Sequence, residues 1–399
     1  MQEEQLPSKE QVLQQIFSLW RPVRKTESIP VSEAAGRIPA ERVFSRISLP
    51  VVRASMMDGI AVNATRFHNG LPDTREWRPG VDYAQADTGD DFDDAFDAVI
   101  RIEDVRFTDQ GLTLPEDLTV VKGQNIRPAG SQISKGDLLV EKHMPLLPKD
   151  LAMLLMGDVR EIPVLRRPVV SFIFTGSELV SPGTPVARGQ YIETNGLFVK
   201  ESLTPLGAET QCGPIVPDKY EQIAEALDSV FHEADIIVLT GGSSKGQEDL
   251  SAKLLKERGQ VICHGAAAAP GRPICIALID GKLVINLPGP LVAAYYGMEW
   301  CLNGVVSHFL HQPMRQRQKV KAILTDDIQG PETISFLYKI DLSRDANGGL
   351  LACPLNIRKV STSSFILANA QYMTRLGGEF LPKGSEIEVE LLRGLEYIV

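Results

Sequence analysis

Three short stretches of this chain have the make-up of a ligand cradle. VLTGGSSKGQEDL at 238–250 follows an apolar run, crowds three glycines into one loop and ends on acids. FTGSELVSPG at 174–183 sets Thr175, Gly176, Ser177 and Glu178 side by side, and INLPGPLVAA at 285–294 places Pro288 and Gly289 between an apolar run and a helical pattern. Glycines after Thr240, at Gly241 and Gly242, let backbone amides approach a ligand with no Cβ in the way. Such amides and the neighbouring hydroxyls suit a phosphate or a polar heterocycle. Glu178 and Asp249 have the chemistry to order a divalent cation or to accept hydrogen bonds from ring nitrogens. Taken singly, each stretch is an ordinary turn, and Asp249 is a carboxylate favoured at a helix start. Their joint occurrence after apolar runs points to one site. None matches G-x-G-x-x-G or a P-loop, which counts against dinucleotide and Walker-type binding.

The elements that must position these loops follow from the pattern around them. From Arg167, apolar runs and helical patterns alternate: VVSFIFTG, NGLFVKESLTPLGAE, ETQCGPIV, YEQIAEALDSVFHEA, DIIVLTGG and EDLSAKLLKERG. Alternation of this kind predicts a mostly parallel sheet with helices on both faces, and in such sheets ligands sit beyond the carboxyl ends of the strands. Upstream, apolar spacing predicts one helix over 9–19 and a second from Val31 through VSEAAGRIPAERVFS, while LPKDLAMLLMGDV predicts a third that packs on the first two. Between them lie short alternating runs separated by Gly, Pro and Asp. After His311 the pattern returns to strands with close turn signals and no helix. The expected fold class is α/β plus β in several domains: a discontinuous helical domain (1–48 and 142–166), a small β-rich domain (49–141), a three-layer α/β domain (167–316) and a C-terminal β-barrel-like domain (317–399).

At 399 residues the chain exceeds what one core usually serves, and its 43% apolar and 23% charged residues are those of an ordinary globular protein. Five scattered cysteines with no C-x-x-C pair favour neither a disulfide framework nor a zinc site. A formal charge of −10 argues against a general nucleic-acid surface. No signal-peptide pattern or apolar run of membrane-span length is present, so a cytoplasmic protein is expected.

TGGSSKGQEDL, FTGSELVSPGTPVARGQYIETNG, APGRP and NLPGP, with SMMDGIAV at 55–62 and GQNIRPAG at 123–130, together resemble the molybdopterin molybdenumtransferase family, the group of MoeA and the gephyrin E domain. The resemblance runs over nearly the whole chain. It implies a homodimer that binds adenylylated molybdopterin, inserts molybdate and releases AMP with Mg²⁺ assisting. It also implies, as protein partners, the adenylyltransferase that supplies the substrate and the molybdoenzymes that receive the product. Position by position, it gives Asp58 and Thr88 to the metal-insertion side, Glu178, Asp218 and Asp249 to the acids of the α/β domain, with Glu178 and Asp249 as Mg²⁺ ligands, and Gly241, Gly242 and Ser244 to the loop on the phosphate or nucleotide.

Several anion-binding charges of the family are missing. Its K-P-G-K-P reads Ala269 to Pro273 here, leaving Arg272 as the single cation, and a further lysine position is Gly265. The acids of G-E-D-I fall on Ser131 and Gln132, and a C-terminal arginine falls on Tyr338, beside Lys339. Each lost cation costs on the order of 1.5–3 kcal/mol of phosphate binding where desolvated. Lys245, on a flexible stem inside the glycine loop, is the best replacement, with Arg272 and Lys339 as others. Two alternatives therefore stand beside molybdate insertion: a pterin-binding scaffold without turnover, and an enzyme for another oxyanion such as tungstate.

Overall fold

The computed structural model describes residues 6–109, 111–241, 249–355 and 361–398. The chain divides into two compact units, 26–164 and a second made of 1–25 with 165–399.

In the unit 26–164, a three-stranded antiparallel sheet has Gly59–Val62 at its centre, between Tyr83–Ala86 and Ala98–Arg101. Successive residues of the central strand point to opposite faces, and here both faces are covered. Ile60 and Val62 join Phe67, Ile100, Leu112 and Val120 on one side, while Ala61 joins Phe92, Phe96 and Val99 on the other. Gly59 sits so close to its neighbour that a Cβ would fall 1.9 Å from the Ile100 carbonyl oxygen. A further core gathers Val31, Val140, Leu146, Leu154, Val159 and Ile162 around the helix Pro148–Met156.

The helix expected from Val31 is absent. A single 3₁₀ turn, Val31–Glu33, is followed by Gly36 at φ 72° and by Pro39, which bridges to Val164, and the next regular element is the short strand Val43–Phe44. A left-handed glycine and a proline within four residues stop a helix that apolar spacing alone would allow. Pro148–Met156 therefore packs on the Val31–Glu33 turn and the strand Leu138–Val140 rather than on a helical pair.

Nor does the first helix, Lys9–Leu19, belong with the unit 26–164. It is held at its start by a reciprocal capping box between Ser8 and Gln11. Its Phe17 ring stacks on His308 at 4.3 Å, and Leu13 lies over Gly304. Just beyond it, the Arg24 guanidinium donates to the backbone carbonyls of Phe309 (2.6 Å) and His308 (2.9 Å), which closes the open end of the helix Asn303–Phe309.

The α/β alternation is as expected. Six strands run in the order Glu209–Val216, Val169–Thr175, Ile236–Thr240, Lys282–Leu287, Cys275–Ile279 and Gln260–His264, the first four parallel and the last two joined antiparallel. Val169–Thr175 and Ile236–Thr240 are buried throughout, as parallel strands covered on both faces must be. The chain leaves Val169–Thr175 toward one edge of the sheet, through Glu209–Val216, and then returns to its other side as Ile236–Thr240. That reversal leaves a crevice at the carboxyl ends of these two strands.

The C-terminal region closes into a five-stranded barrel in which Ser335–Arg344, Leu350–Leu355, Lys319–Leu324, Glu386–Leu391 and Ala370–Met373 pair in turn and the last pairs back to the first. Closure removes exposed strand edges. Ile340, Leu342, Ala352, Ala370, Ile387 and Val389 fill it. One short helix, Thr362–Leu367, interrupts what the pattern presented as strands alone.

Candidate functional site

The crevice at the strand reversal is a cleft of about 710 Å³, and Thr175, Glu178, Asp218, Thr240, Gly241 and Gly289 all line it. Thr240 ends its strand, and Gly241 follows at φ 110°, where a Cβ would lie 2.1 Å from the Thr175 carbonyl oxygen. No other residue fits there. Gly289, after the next strand, lies against Gly241: a Cβ on Gly289 would stand 3.4 Å from the Gly241 Cα. Pro288, buried, precedes it. The Thr175 hydroxyl donates to the Thr240 carbonyl at 3.3 Å, which ties the two central strand ends together. Gly176 donates its N–H to Val216 and starts the loop. Ser177 and Asp218 then lock reciprocally: the Ser177 N–H donates to Asp218 Oδ2 and the Asp218 N–H to Ser177 Oγ, both at 3.2 Å.

Asp249 caps the helix Leu250–Arg258 by accepting from the Ala252 N–H at 2.9 Å, and the Asn286 amide lies 3.3–3.4 Å from its two oxygens. Glu178 stands exposed on the cleft. Gly242, Ser244 and Lys245 lie outside the described residues. Among those that are described, no group of three or more His, Cys, Asp or Glu side chains could hold a metal unaided.

Sequence reasoning assigned no role to one wall of this cleft. Glu193 and Asn195, from YIETNG, line it with Tyr191 and Ile192. Glu193 accepts from the N–H groups of Asn195 (2.6 Å) and Gly196 (3.1 Å) at the start of the helix Asn195–Leu203. Burial holds the Glu193 carboxyl above its usual range, against the opposing pull of those two donors. Asn195 is 7% exposed and donates through Nδ2 to the Gly289 carbonyl at 2.8 Å. Its Oδ1, Asp218 Oδ1 and Asn286 Oδ1 are buried without a hydrogen-bond partner among the described residues. Leaving such an acceptor unmet costs about 1–3 kcal/mol. A polar triplet just ahead of a helical run was the available signal for Glu193 and Asn195.

Asp58 and Thr88, 30 positions apart, do meet, in the unit 26–164. Asp58 Oδ1 accepts from both the N–H (2.7 Å) and the hydroxyl (2.8 Å) of Thr88, and these bonds hold its carboxyl below the usual range.

The cation replacements fare differently. Arg272 is exposed on the turn after the cis Ala269–Pro270 bond. Gly265 takes φ 93° against Leu6, a conformation that disfavours a lysine. Lys339 is not available to an anion. It is 1% exposed, with Nζ 3.0 Å from Gln371 Oε1 and 3.9 Å from the Tyr295 ring centroid, and burial pushes its pKa down to about 7. Tyr338 donates its hydroxyl to the Gln329 carbonyl, while Ser131 and Gln132 are exposed. A second cavity, of about 810 Å³, is lined by Gln371 and by Arg317, which forks onto Glu299 at 2.8 Å. The 710 Å³ cleft, with its unmet acceptors at strand ends, is therefore the better candidate.

Residues 7–156 match the model of the MoeA N-terminal region (domain I and II), and residues 171–308 match a probable molybdopterin binding domain. A molybdopterin molybdenumtransferase of Haemophilus influenzae is 31% identical over 68% of this chain and 69% of its own length. One from Bacillus subtilis is 26% identical over 92% and 90%. The crystal structure of a molybdopterin biosynthesis MoeA protein from Pyrococcus horikosii superposes with a TM-score of 0.81 at 26% identity, covering 98% of this chain and all of that one.

Proposed function

From the premise that the chain belongs to the molybdopterin molybdenumtransferase family, transferases of molybdenum cofactor biosynthesis, we propose that it inserts molybdate into adenylylated molybdopterin and releases AMP. The observation that carries this reading is the cleft at the strand reversal, where Gly241 and Gly289 bring backbone close to a ligand between Thr175, Thr240 and Asp218. Chemically, the protein has to orient the dithiolene, the oxyanion and the phosphoanhydride, and to place water for its cleavage. The Gly241 N–H donates to the Leu287 carbonyl at 3.1 Å, so this glycine serves the phosphates by leaving room for them and not as their donor.

Mg²⁺ usually binds through one or two carboxylates plus phosphate oxygens. Glu178 supplies one on the cleft, and Asp249, capping the next helix, supplies the second. Bound there, the ion neutralises charge on the phosphoanhydride. Asp58, already deprotonated and oriented by Thr88, is assigned to the molybdate-insertion step.

AMP release from adenylylated molybdopterin, with molybdate or tungstate and Mg²⁺, tests the reading. Release with molybdate supports it, release with tungstate alone moves the assignment to that oxyanion, and binding without release makes the protein a scaffold. The neutral Gly265 and Ala269 favour both of those alternatives, the other oxyanion and the scaffold. We also assign a homodimer, checked by sedimentation equilibrium, and a cytoplasmic location; no described helix is long and apolar enough to cross a membrane. The adenylyltransferase and molybdoenzyme acceptors remain the protein partners to test by co-purification.

A further inference from the structure

We infer that Asn195 and Asp218 form an acceptor wall that selects the amino-substituted pyrimidine edge of a pterin. This rests on the reading of the cleft as the pterin site, and it assigns which part of the substrate that wall holds.

The orientation of Asn195 is fixed by its partner. The Gly289 carbonyl can only accept, so the Asn195 NH₂ faces it at 2.8 Å, and Oδ1 points the other way with no donor. Asp218 is in the same position: Oδ2 takes the Ser177 N–H and Oδ1 is buried and unmet. Both residues line one cleft. The Thr175 hydroxyl, on the same cleft, donates to the Thr240 carbonyl and not to either of them.

Unmet buried acceptors call for a ligand that brings N–H groups. A phosphate brings none, and it would meet Glu178, Glu193 and Asp218, all on the same cleft. A 2-amino-4-oxopyrimidine edge brings a ring N–H and an amino group side by side. Adenine offers its single exocyclic amino group. The phosphates then belong at the glycine strand ends, by Gly241 and Gly289, not with this wall.

The test uses the full chain with pterin-6-carboxylate, its 2,4-dioxo counterpart, which carries an oxygen in place of the amino group, and AMP, each titrated by calorimetry. The native protein should bind the amino compound about ten- to hundredfold tighter than the dioxo compound. Asp218→Asn can keep its oxygen on the Ser177 N–H and turn an NH₂ toward the ligand. It should weaken the amino compound about tenfold or more, strengthen the dioxo compound, and leave AMP within about twofold. Asn195→Ala should erase much of the preference; if it fails to fold, Asp218→Asn, which preserves shape, decides alone.

Amino-pterin binding with a ratio that neither variant changes overturns the acceptor wall and leaves the pterin site standing. Binding of neither pteridine, with AMP affinity that depends on Asp218, overturns both. A loss of Mg²⁺ affinity in Asp218→Asn with the pteridine ratio intact makes Asp218 a cation ligand and also overturns the inference.

Discussion

The cleft of the α/β sheet and the Asp58–Thr88 pair handle polar chemistry in opposite ways. In the cleft, backbone dictates geometry: two fully buried strands end together, Gly241 allows an approach no side chain permits, and the polar groups are set by burial. The Asp58 carboxylate instead stands exposed, oriented only by two bonds from Thr88. The difference teaches that a substitution in the cleft should act on folding and on the proposed binding at once, and one at Asp58 on the proposed chemistry almost alone.

Breaking that contrast starts at Gly241. Its replacement by Ala forces a Cβ against the Thr175 carbonyl, and chemical unfolding should show a loss of about 3 kcal/mol or more, with no molybdopterin binding. Undiminished stability would mean the strand ends are not rigid. Next in size is Lys339→Met. Because the folded-state pKa of Lys339 is lowered to about 7, the unfolded chain binds more protons above that pH, so this group makes native stability rise with pH. Urea unfolding between pH 7 and pH 8.5 should show the rise in the native protein, by about 1–2 kcal/mol, and a flatter profile in the variant.

Asp249→Ala removes the helix cap and the partner of the buried Asn286 amide, so a loss of about 1–2 kcal/mol is expected together with reduced AMP release. The smallest stability effect sharpens the comparison. Asp58→Ala should change unfolding free energy by less than about 0.5 kcal/mol, yet lower AMP release at least about tenfold. A comparable loss of stability would put Asp58 in the same class as the cleft residues.

The parts of the fold legible in sequence were those where periodicity was undisturbed. Alternation from Arg167 located the parallel sheet, and the strands after His311 located the barrel. Spacing failed at Val31, where Gly36 and Pro39 override it, and it could not show that Lys9–Leu19 packs against residues some 290 positions later, because pairing over such distances leaves no local mark. In the site, glycine-rich strand ends announced Thr175, Gly241 and Gly289. Asn195 gave only the weak signal of a polar triplet ahead of a helical run, because what sets it apart is packing: the Gly289 carbonyl takes its NH₂ and its Oδ1 is left without a partner among the described residues. Lys339 was misjudged for the same reason: a lysine in the middle of the strand Ser335–Arg344 gives no sign that it will be buried under Tyr295.

The two bonds from Arg24 to the carbonyls of His308 and Phe309 span 284 and 285 positions. On a ribosome adding about 5–20 residues per second, Arg24 and the helix before it emerge roughly 15–60 s before those carbonyls exist. Meanwhile the intervening unit 26–164 can close on its own cores. An 11-residue helix is marginal when isolated in water, so Val12 and Ile16 spend that interval uncovered. The helix Lys9–Leu19, made long before the residues that cover it, is thus among the last segments to be sheltered, and nascent chains stalled between residues 165 and 300 should bind chaperones through that helix.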